Sequence, residues 1–412
     1  MHDILPEDQF FFQKIYNTAK TVAEFYGFQK IDTPLVEQAE LFSRGLGLST
    51  DVVEKQMYVF RSKGGDYLAL RPEFTAGVCR SFIEHGMFNL PQPVKLYSYG
   101  PIFRMEKPQA GRYRQFNQFN LESFGEGSAV IDAQIIQIFY NILKELKFKD
   151  IVIEINSIGD SLCRPYYKKL LANYLRSRES SLCPECRRRM KENPLRVLDC
   201  KEEKCQPIKA QAPQIVDHLC EGCKTHFKEV LEFLDELELP YRLNPYLVRG
   251  LDYYTKTVFE IFEEEKTPNA LIGGGRYDAL VRMLGGKDAP ACGGAMGVER
   301  VVELMKERMN KETVAETKKV FLTQLGGLGK RKSLKLFEEL RKANISVAES
   351  LGKDSLKTQM RLADKFEAEY ALILGQKEAL EGTVIIRDMK NGRQDVVKLE
   401  KAVEEIKKRI KK

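Results

Sequence analysis

The sequence predicts an α+β body with a largely antiparallel sheet over residues 1–315, followed by a smaller α/β module over 316–412. Three observations carry that reading. Strand-like runs in the first part are joined by turn signals and separated by single long amphipathic helices. Beyond residue 320 short apolar runs alternate strictly with helical patterns, the rhythm of an α/β unit. The charge changes at the same place. Residues 316–412 carry 23 Lys and Arg against 15 Asp and Glu, a net of +8, whereas residues 1–315 carry 43 against 44.

The elements follow in order. Phe11, Ile15, Ala19, Val22 and Tyr26 recur at three- and four-residue steps and predict a helix that Gly27 stops. A short strand over Phe28–Pro34 then ends in the proline. Met57–Phe60 and Tyr67–Leu70 flank Lys63-Gly64-Gly65-Asp66 and read as a hairpin. Val94–Gly100 continues past Pro101 as Ile102–Arg104. A polar, basic loop (Met105–Tyr113) leads to a strand over Arg114–Phe124. Ala129–Leu146 is a long amphipathic helix and Ile151–Ile155 a buried strand. Residues 160–240 change character: helical at the ends, rich in Cys, Arg and Lys between, they read as an insertion. Strands at Tyr241–Leu247 and Thr257–Phe262, the run Gly273-Gly274-Gly275, and a strand-to-helix unit over Gly293–Met305 close the body. Lys306–Lys319 has the composition of a linker. The last module reads strand (Val320–Thr323), helix (Lys330–Ala343), strand (Ile345–Ala348), helix (Ser355–Phe366), strand (Tyr370–Leu374), hairpin (Thr383–Arg387, Asp395–Leu399) and a final helix.

Composition bounds the function. With 412 residues the chain has room for two or three domains at roughly 150 residues each. Hydrophobic residues at 43% and charged residues at 30% exclude a disordered chain and a small disulfide scaffold. No run of about 18 apolar residues exists, so no membrane span is expected. Met1–Pro6 lacks the basic-then-apolar order of a secretory signal, and a cytoplasmic location is expected. The basic module suits a polyanionic partner, although a merely solubilising surface has the same charge.

The chemistry-bearing residues are mostly arginines. GxxxxGK[ST] and a helix-opening GxGxxG are absent; Gly326–Ser333 only approaches the first. The four histidines (His2, His85, His218, His226) lie outside Gly-rich turns and charged strand ends, which disfavours triads and His-based metal hydrolysis. Arg71, Arg104, Arg249 and Arg300 instead stand in strand ends or beside glycines. A guanidinium forks onto oxygen pairs and stays charged, so several in one body suit a polyphosphate. Structural ion pairs with Glu106, Glu299 or Asp252 are the competing explanation. In the strand Arg114–Phe124, alternation puts Gln118, Asn120 and Glu122 on one face and Phe119, Leu121 and Ser123 on the other. Such a row either grips a polar, cationic small molecule or faces solvent.

These residues carry a family resemblance. Phe28–Glu37 with Pro34 resembles motif 1 of the class II aminoacyl-tRNA synthetases. Tyr99-Gly100-Pro101-Ile102-Phe103-Arg104 with Gly111-Arg112-Tyr113-Arg114-Gln115-Phe116 resembles motif 2. Gly293–Arg300 resembles motif 3. Leu247–Tyr254 and Gly273–Asp278 are similar to the two histidine-specific motifs of the histidyl-tRNA synthetase family, and Arg71–Thr75 and Leu121-Glu122 fit the same family. Phe74 departs from it, standing where many members have Gly.

The resemblance implies a class II catalytic domain and a C-terminal anticodon-binding domain. It implies histidine–tRNA ligase activity: L-histidine and ATP give histidyl-adenylate, and the histidyl group passes to the 3′ end of tRNA(His). No protein nucleophile is required, so positioning and charge stabilisation carry the catalysis. Arg104, Arg249 and Arg300 are the implied catalytic and ATP-binding residues, with Arg249 placed where other class II enzymes use a metal ion and Mg²⁺ riding on the outer phosphates. Glu73, Phe74, Thr75, Gln118, Tyr253 and Tyr277 are the implied histidine pocket, together with Glu122 and Tyr254, which address the two imidazole nitrogens, and with Arg104 and Arg249. Neutral imidazole offers one donor and one acceptor, so an acceptor and a donor on opposite walls read it. Lys107, Gln109 and Arg112 are implied to meet the tRNA acceptor end, and motif 1 implies a homodimer. A non-catalytic paralogue, the synthetase-like regulatory subunit of histidine biosynthesis, is the alternative; that type lacks the C-terminal module and key site residues. A class II enzyme for Pro, Thr or Gly is a third reading, opposed by Arg249–Tyr254 and Gly273–Asp278.

Six cysteines cluster in the insertion: Cys183-x2-Cys186, Cys200-x4-Cys205 and Cys220-x2-Cys223. Paired CxxC spacing favours structural zinc, but six thiols exceed one tetrahedral site. The family does not in general depend on zinc. Reduced structural thiols and no metal are therefore expected.

Overall fold

The computed structural model describes residues 3–47, 50–106, 113–264, 269–308 and 320–410. They form two compact units, one up to residue 309 and one from residue 310. No helix among the described residues is long and apolar enough to cross a membrane.

The first unit is built on an eight-stranded sheet. In chain order the unit's strands are β1 (Gln29–Lys30), β2 (Val36–Gln38), β3 (Val59–Arg61), β4 (Tyr67–Leu70), β5 (Val94–Phe103), β6 (Gln115–Phe124), β7 (Ile151–Ser157), β8 (Tyr241–Leu243), β9 (Thr255–Glu263), β10 (Ile272–Arg276) and β11 (Ala291–Gly297). The large sheet runs β1-β5-β6-β11-β10-β9-β7-β8, and β2-β4-β3 form a small separate sheet. The six central strands are antiparallel, as expected. The two edge pairs, β1 with β5 and β7 with β8, are parallel, so the sheet is mixed.

Local chemistry accounts for most elements. The first helix, Pro6–Phe25, has Pro in its opening turn and buries Phe11, Ile15, Ala19 and Val22, the stripe expected from the sequence. Pro101 does not interrupt β5, which runs ten residues and pairs along its whole length with β6. The helix Ala129–Glu145 buries Ile135, Ile136, Phe139 and Ile142. It is tied to β10 by Arg276, whose guanidinium is fully buried and donates to Asp132 at 2.5 and 3.0 Å.

The Gly273–Gly275 run is a finding beyond the sequence reading. It is a strand, β10, between β9 and β11. Gly in a strand interior ordinarily weakens it. Here the backbones and side chains of the neighbours come too close for anything else. A Cβ on Gly274 would lie 2.7 Å from the Gly294 Cα and 2.7 Å from the Phe259 ring.

The second unit holds β12 (Val320–Gln324), β13 (Val347–Glu349), β14 (Tyr370–Leu374), β15 (Thr383–Asp388) and β16 (Gln394–Lys398), ordered β13-β12-β14-β15-β16. The first three are mutually parallel, which needs helical crossovers, and the last two form the expected hairpin. Helices Gly326–Lys342 and Leu356–Lys365 supply the crossovers. A short helix, Gln376–Glu381, joins β14 to β15 where no element was expected. Val320, Leu322, Leu336, Leu340, Leu372 and Ile406 form this unit's own core.

Candidate active site

β6 and β11 pair in the middle of the large sheet and aim their side chains into one cleft. A cavity opens there, lined by Arg104, Arg249, Arg300, Gln118, Glu260 and Glu299 among others. The three arginines come from separate segments: the end of β5, the loop before β9, and the first turn of the helix Val298–Arg308. Long-range folding alone brings them together.

Each arginine is held by a neighbour. Arg104 donates from Nε to the Pro72 carbonyl at 2.9 Å, with its guanidinium 5.7 Å from the Phe116 ring. Burial lowers its pKa, with Glu106 and Glu73 opposing. Arg300 donates to the Ala270 carbonyl at 2.6 Å. Arg249 pairs with Glu260, and its guanidinium lies 5.7 Å from the Tyr254 ring. Burial pulls its pKa down, but Glu260 and the nearby tyrosines hold it above the ordinary value. Gly273 makes Arg249's position possible, because a Cβ there would meet the guanidinium at 2.5 Å. Two buried polar atoms at this cavity lack a hydrogen-bond partner among the described residues: Gln118 Oε1 and Arg249 Nε. Orphaned buried polar atoms are costly and indicate a polar guest.

Arg71 differs from the other three. Its guanidinium donates to the carbonyls of Thr33 (2.8 Å) and Pro101 (2.9 Å) and covers the Phe74 ring at 4.1 Å. It is a structural tie between the segment after β1 and β5. Phe74 is 1% exposed, packs in the hydrophobic core and does not line the arginine cavity.

Beside the cavity lies a compact polar cluster. Glu122 is buried, which overturns the solvent-facing alternative for β6. One carboxylate oxygen accepts from Thr75 Oγ1 at 2.5 Å and Asn120 Nδ2 at 2.6 Å, and the other accepts from the Tyr277 hydroxyl. Burial outweighs these donors and pushes its pKa up to about 8. Glu73 accepts from the backbone amides of Thr75 (2.6 Å) and Ala76 (2.7 Å), capping the helix Thr75–Glu84. Burial raises its pKa too. Tyr253, Tyr254 and Tyr277 pack together, with ring centroids 4.6, 5.4 and 6.2 Å apart. Thus Glu73, Thr75, Glu122, Tyr253, Tyr254 and Tyr277 converge, as the sequence reading expected, while Phe74 supports the cluster from the core.

Lys107, Gln109 and Arg112 lie outside the described residues. Sequence reasoning missed Glu260, the partner of Arg249, although a carboxylate inside the apolar run Val258–Phe262 was a usable signal. Glu299 binds Asn117 through its backbone amide (2.8 Å) and side chain (3.0 Å), and burial raises its pKa to about 7. Also missed were Asn193 and Arg196 of the insertion. Asn193 donates to Asp252 at 2.9 Å; Arg196 donates to Asp51 at 2.8 Å and to the Arg249 carbonyl at 3.3 Å.

A pH dependence follows. Glu122 keeps its proton in the fold up to about pH 8 but loses it near the usual carboxylate value, about 4.5, when unfolded. Its contribution is therefore fully present below about pH 4.5 and is lost as pH rises through 8. Glu122→Gln, always neutral, removes that loss. The melting temperature of the variant minus that of the wild type should rise between pH 5 and pH 8.5. A difference that is flat with pH would mean Glu122 is ionised throughout.

Comparisons with known proteins agree with this geometry. Residues 1–301 match the family model described as histidyl-tRNA synthetase, and residues 319–409 match the anticodon binding domain model. The chain is 42% identical over 409 residues to the histidine–tRNA ligase of Dehalococcoides mccartyi strain 195, covering 99% of this chain and 98% of the relative. It is 42% identical over 410 residues to that of Caldicellulosiruptor saccharolyticus, with the same coverage. A crystal structure of apo S. aureus histidyl-tRNA synthetase is 33% identical, covers 99% of this chain and 98% of its own, and superposes with a TM-score of 0.79. With three arginines meeting in one cleft beside a buried carboxylate, and with matches over both units, this chain belongs to the histidyl-tRNA synthetase family.

Proposed function

We propose that the chain is a histidine–tRNA ligase that activates L-histidine with ATP and then charges tRNA(His), and that its class II site works through fixed cations. The observation that carries this reading is the convergence of Arg104, Arg249 and Arg300 on one cavity. In the first step a histidine carboxylate oxygen attacks the α-phosphorus of ATP and pyrophosphate leaves. Negative charge builds on the phosphoryl oxygens as the new bond forms. Arg249 and Arg104 meet that charge, and Arg300 meets the outer phosphates. The Glu260 ion pair pre-aims Arg249, so little reorganisation is needed when charge develops. Mg²⁺ would neutralise the outer phosphates, and the cavity's carboxylates Glu106, Glu260 and Glu299 are oxygen donors of the type a hard cation takes.

Glu73, Thr75 and Gln118 are assigned to the α-ammonium, and Glu122 with Tyr254 to the imidazole nitrogens. The short bonds among Glu122, Thr75, Asn120 and Tyr277 support this, because they lock the carboxylate before the ligand arrives. A site built to satisfy such bonds rejects apolar analogues by roughly 10⁴-fold or more.

The second unit reads the tRNA anticodon, and Lys107, Gln109 and Arg112 meet the acceptor end. A cytoplasmic homodimer is the expected form. The small sheet supports a partner surface by exposing Val36, Val59, Phe60 and Tyr67 at 40–63% of their area. ATP–pyrophosphate exchange with each of the twenty amino acids tests the activity. Histidine alone should support exchange, and a second amino acid of equal rate would refute the specificity. Sedimentation at the mass of one 47.3 kDa chain would refute the dimer.

A further inference from the structure

Seven of the nine cysteines lie between residues 163 and 223, and all are reduced. Their sulfurs fall into two groups. Cys183, Cys186, Cys200 and Cys205 are all buried, and their four Sγ atoms lie within 4.8 Å of one another. Cys163, Cys220 and Cys223 gather separately around Asp160. The six thiols that looked too many for one tetrahedral site therefore divide, with Cys163 joining the second group.

We infer that Cys183, Cys186, Cys200 and Cys205 form a structural Zn²⁺ site that braces the insertion against the Arg249 loop. Four ligands at a Zn–S distance of about 2.3 Å in a tetrahedron stand about 3.8 Å apart. The Cys183 and Cys200 sulfurs are 3.9 Å apart. Backbone amides also point at sulfur: Cys186 N–H donates to Cys183 Sγ at 3.3 Å, and Cys183 N–H to Cys205 Sγ at 3.3 Å. Such donors favour thiolate over thiol and orient metal ligands. Cys183 is the N-cap of the helix Pro184–Glu192 and Cys186 sits in its first turn, so the positive helix end faces both sulfurs. On binding, four Sγ–H groups release their protons to solvent and four Zn–S bonds form, leaving a net charge of −2. Arg189 and Arg196, both paired with Asp51, line the same cavity as Cys183 and Cys200.

The surrounding chain is built of short elements. Between residues 179 and 218 it is a series of short pieces, Glu179–Ser181, Pro184–Glu192, Pro194–Val197, Glu203–Cys205, Gln206–Ala210 and Ile215–His218. Leu182, Met190, Leu195, Val197, Leu198 and Ile215 bury their side chains around the thiols, and a metal held by the four sulfurs would cross-link these short pieces. The loop between the two cysteine pairs reaches the active site. Arg189 pairs with Asp51 at 2.7 Å, Asn193 holds Asp252, and Arg196 holds the Arg249 carbonyl. The thiol set is thus a positioning device for the segment that carries Arg249.

The test uses the full chain, purified without a metal-binding tag, with zinc measured by mass spectrometry of the acid digest. Wild type should hold at least one equivalent, and Cys186→Ser/Cys205→Ser should hold one fewer. That variant should also lower kcat more than it raises the KM for ATP, as a loosened Arg249 loop requires. Less than half an equivalent in wild type overturns the proposal. So does zinc that survives in the variant and is lost only in Cys163→Ser, which would place the ion on the Asp160 group. Should the double variant not fold, Co²⁺ exchanged into wild-type protein reads the ligands directly. Visible absorption of a tetrahedral tetrathiolate supports the site, and its absence overturns it.

Discussion

Replacing Arg249 by Ala should lower histidine-dependent ATP–pyrophosphate exchange by about 10²–10³-fold, the usual loss when one preorganised charge-stabilising group is removed. The loss should fall on kcat, because Arg249 meets charge that exists only as the phosphorane forms. The structure adds a complication. Arg249 neutralises Glu260, and both side chains keep only about a fifth of their surface, 21% and 22%. Truncation leaves a carboxylate short of its partner. Stability should drop by about 1–3 kcal/mol, less than for a fully enclosed pair because water still reaches both groups. Arg249→Ala/Glu260→Gln removes that penalty while leaving the catalytic loss in place. Exchange within threefold of wild type in either variant would refute the assigned role. Recovery of exchange in the double variant alone would show that the single change acted through folding.

Deleting residues 318–412 should separate the two steps of the reaction. The second unit has its own core, built on Val320, Leu336, Leu372 and Ile406. Exchange should stay within about threefold, whereas charging of tRNA(His) should fall by 10² or more. The excised part carries 23 Lys and Arg against 14 Asp and Glu, a net of +9, and phosphate contacts from Lys and Arg supply much of the affinity for a nucleic acid. Charging by the full chain should accordingly weaken more steeply with salt than charging by the truncated one. Equal loss of exchange and charging would mean that the second unit supports the catalytic body.

The legible part of the sequence was the part written locally. The helix Pro6–Phe25 was read from its stripe, β6 from its alternation, and the α/β rhythm of the second unit from its apolar runs. The arginines stood out because a permanent charge beside glycine or at a strand end has few structural uses. The resemblance to the histidyl-tRNA synthetases then assigned their roles. The failures were non-local. Gly273–Gly275 forms an interior strand because neighbouring backbones and an arginine crowd it, which no propensity encodes. Arg71 looked like its three counterparts and proved to be a tie between carbonyls.

The sequence by itself determined the family, the two-unit organisation and which residue types do the chemistry, because periodicity, charge and motif spacing are properties of short stretches of chain. Tertiary structure alone decided which charges meet. Arg104 and Arg300 are 196 positions apart in the chain yet line one cavity. Both faces of β6 are buried, Asn120 and Glu122 on one and Phe119 and Leu121 on the other, and seven thiols sort into two groups rather than one. These outcomes depend on distances across the fold, where burial and Coulomb terms are set by neighbours the local sequence does not name.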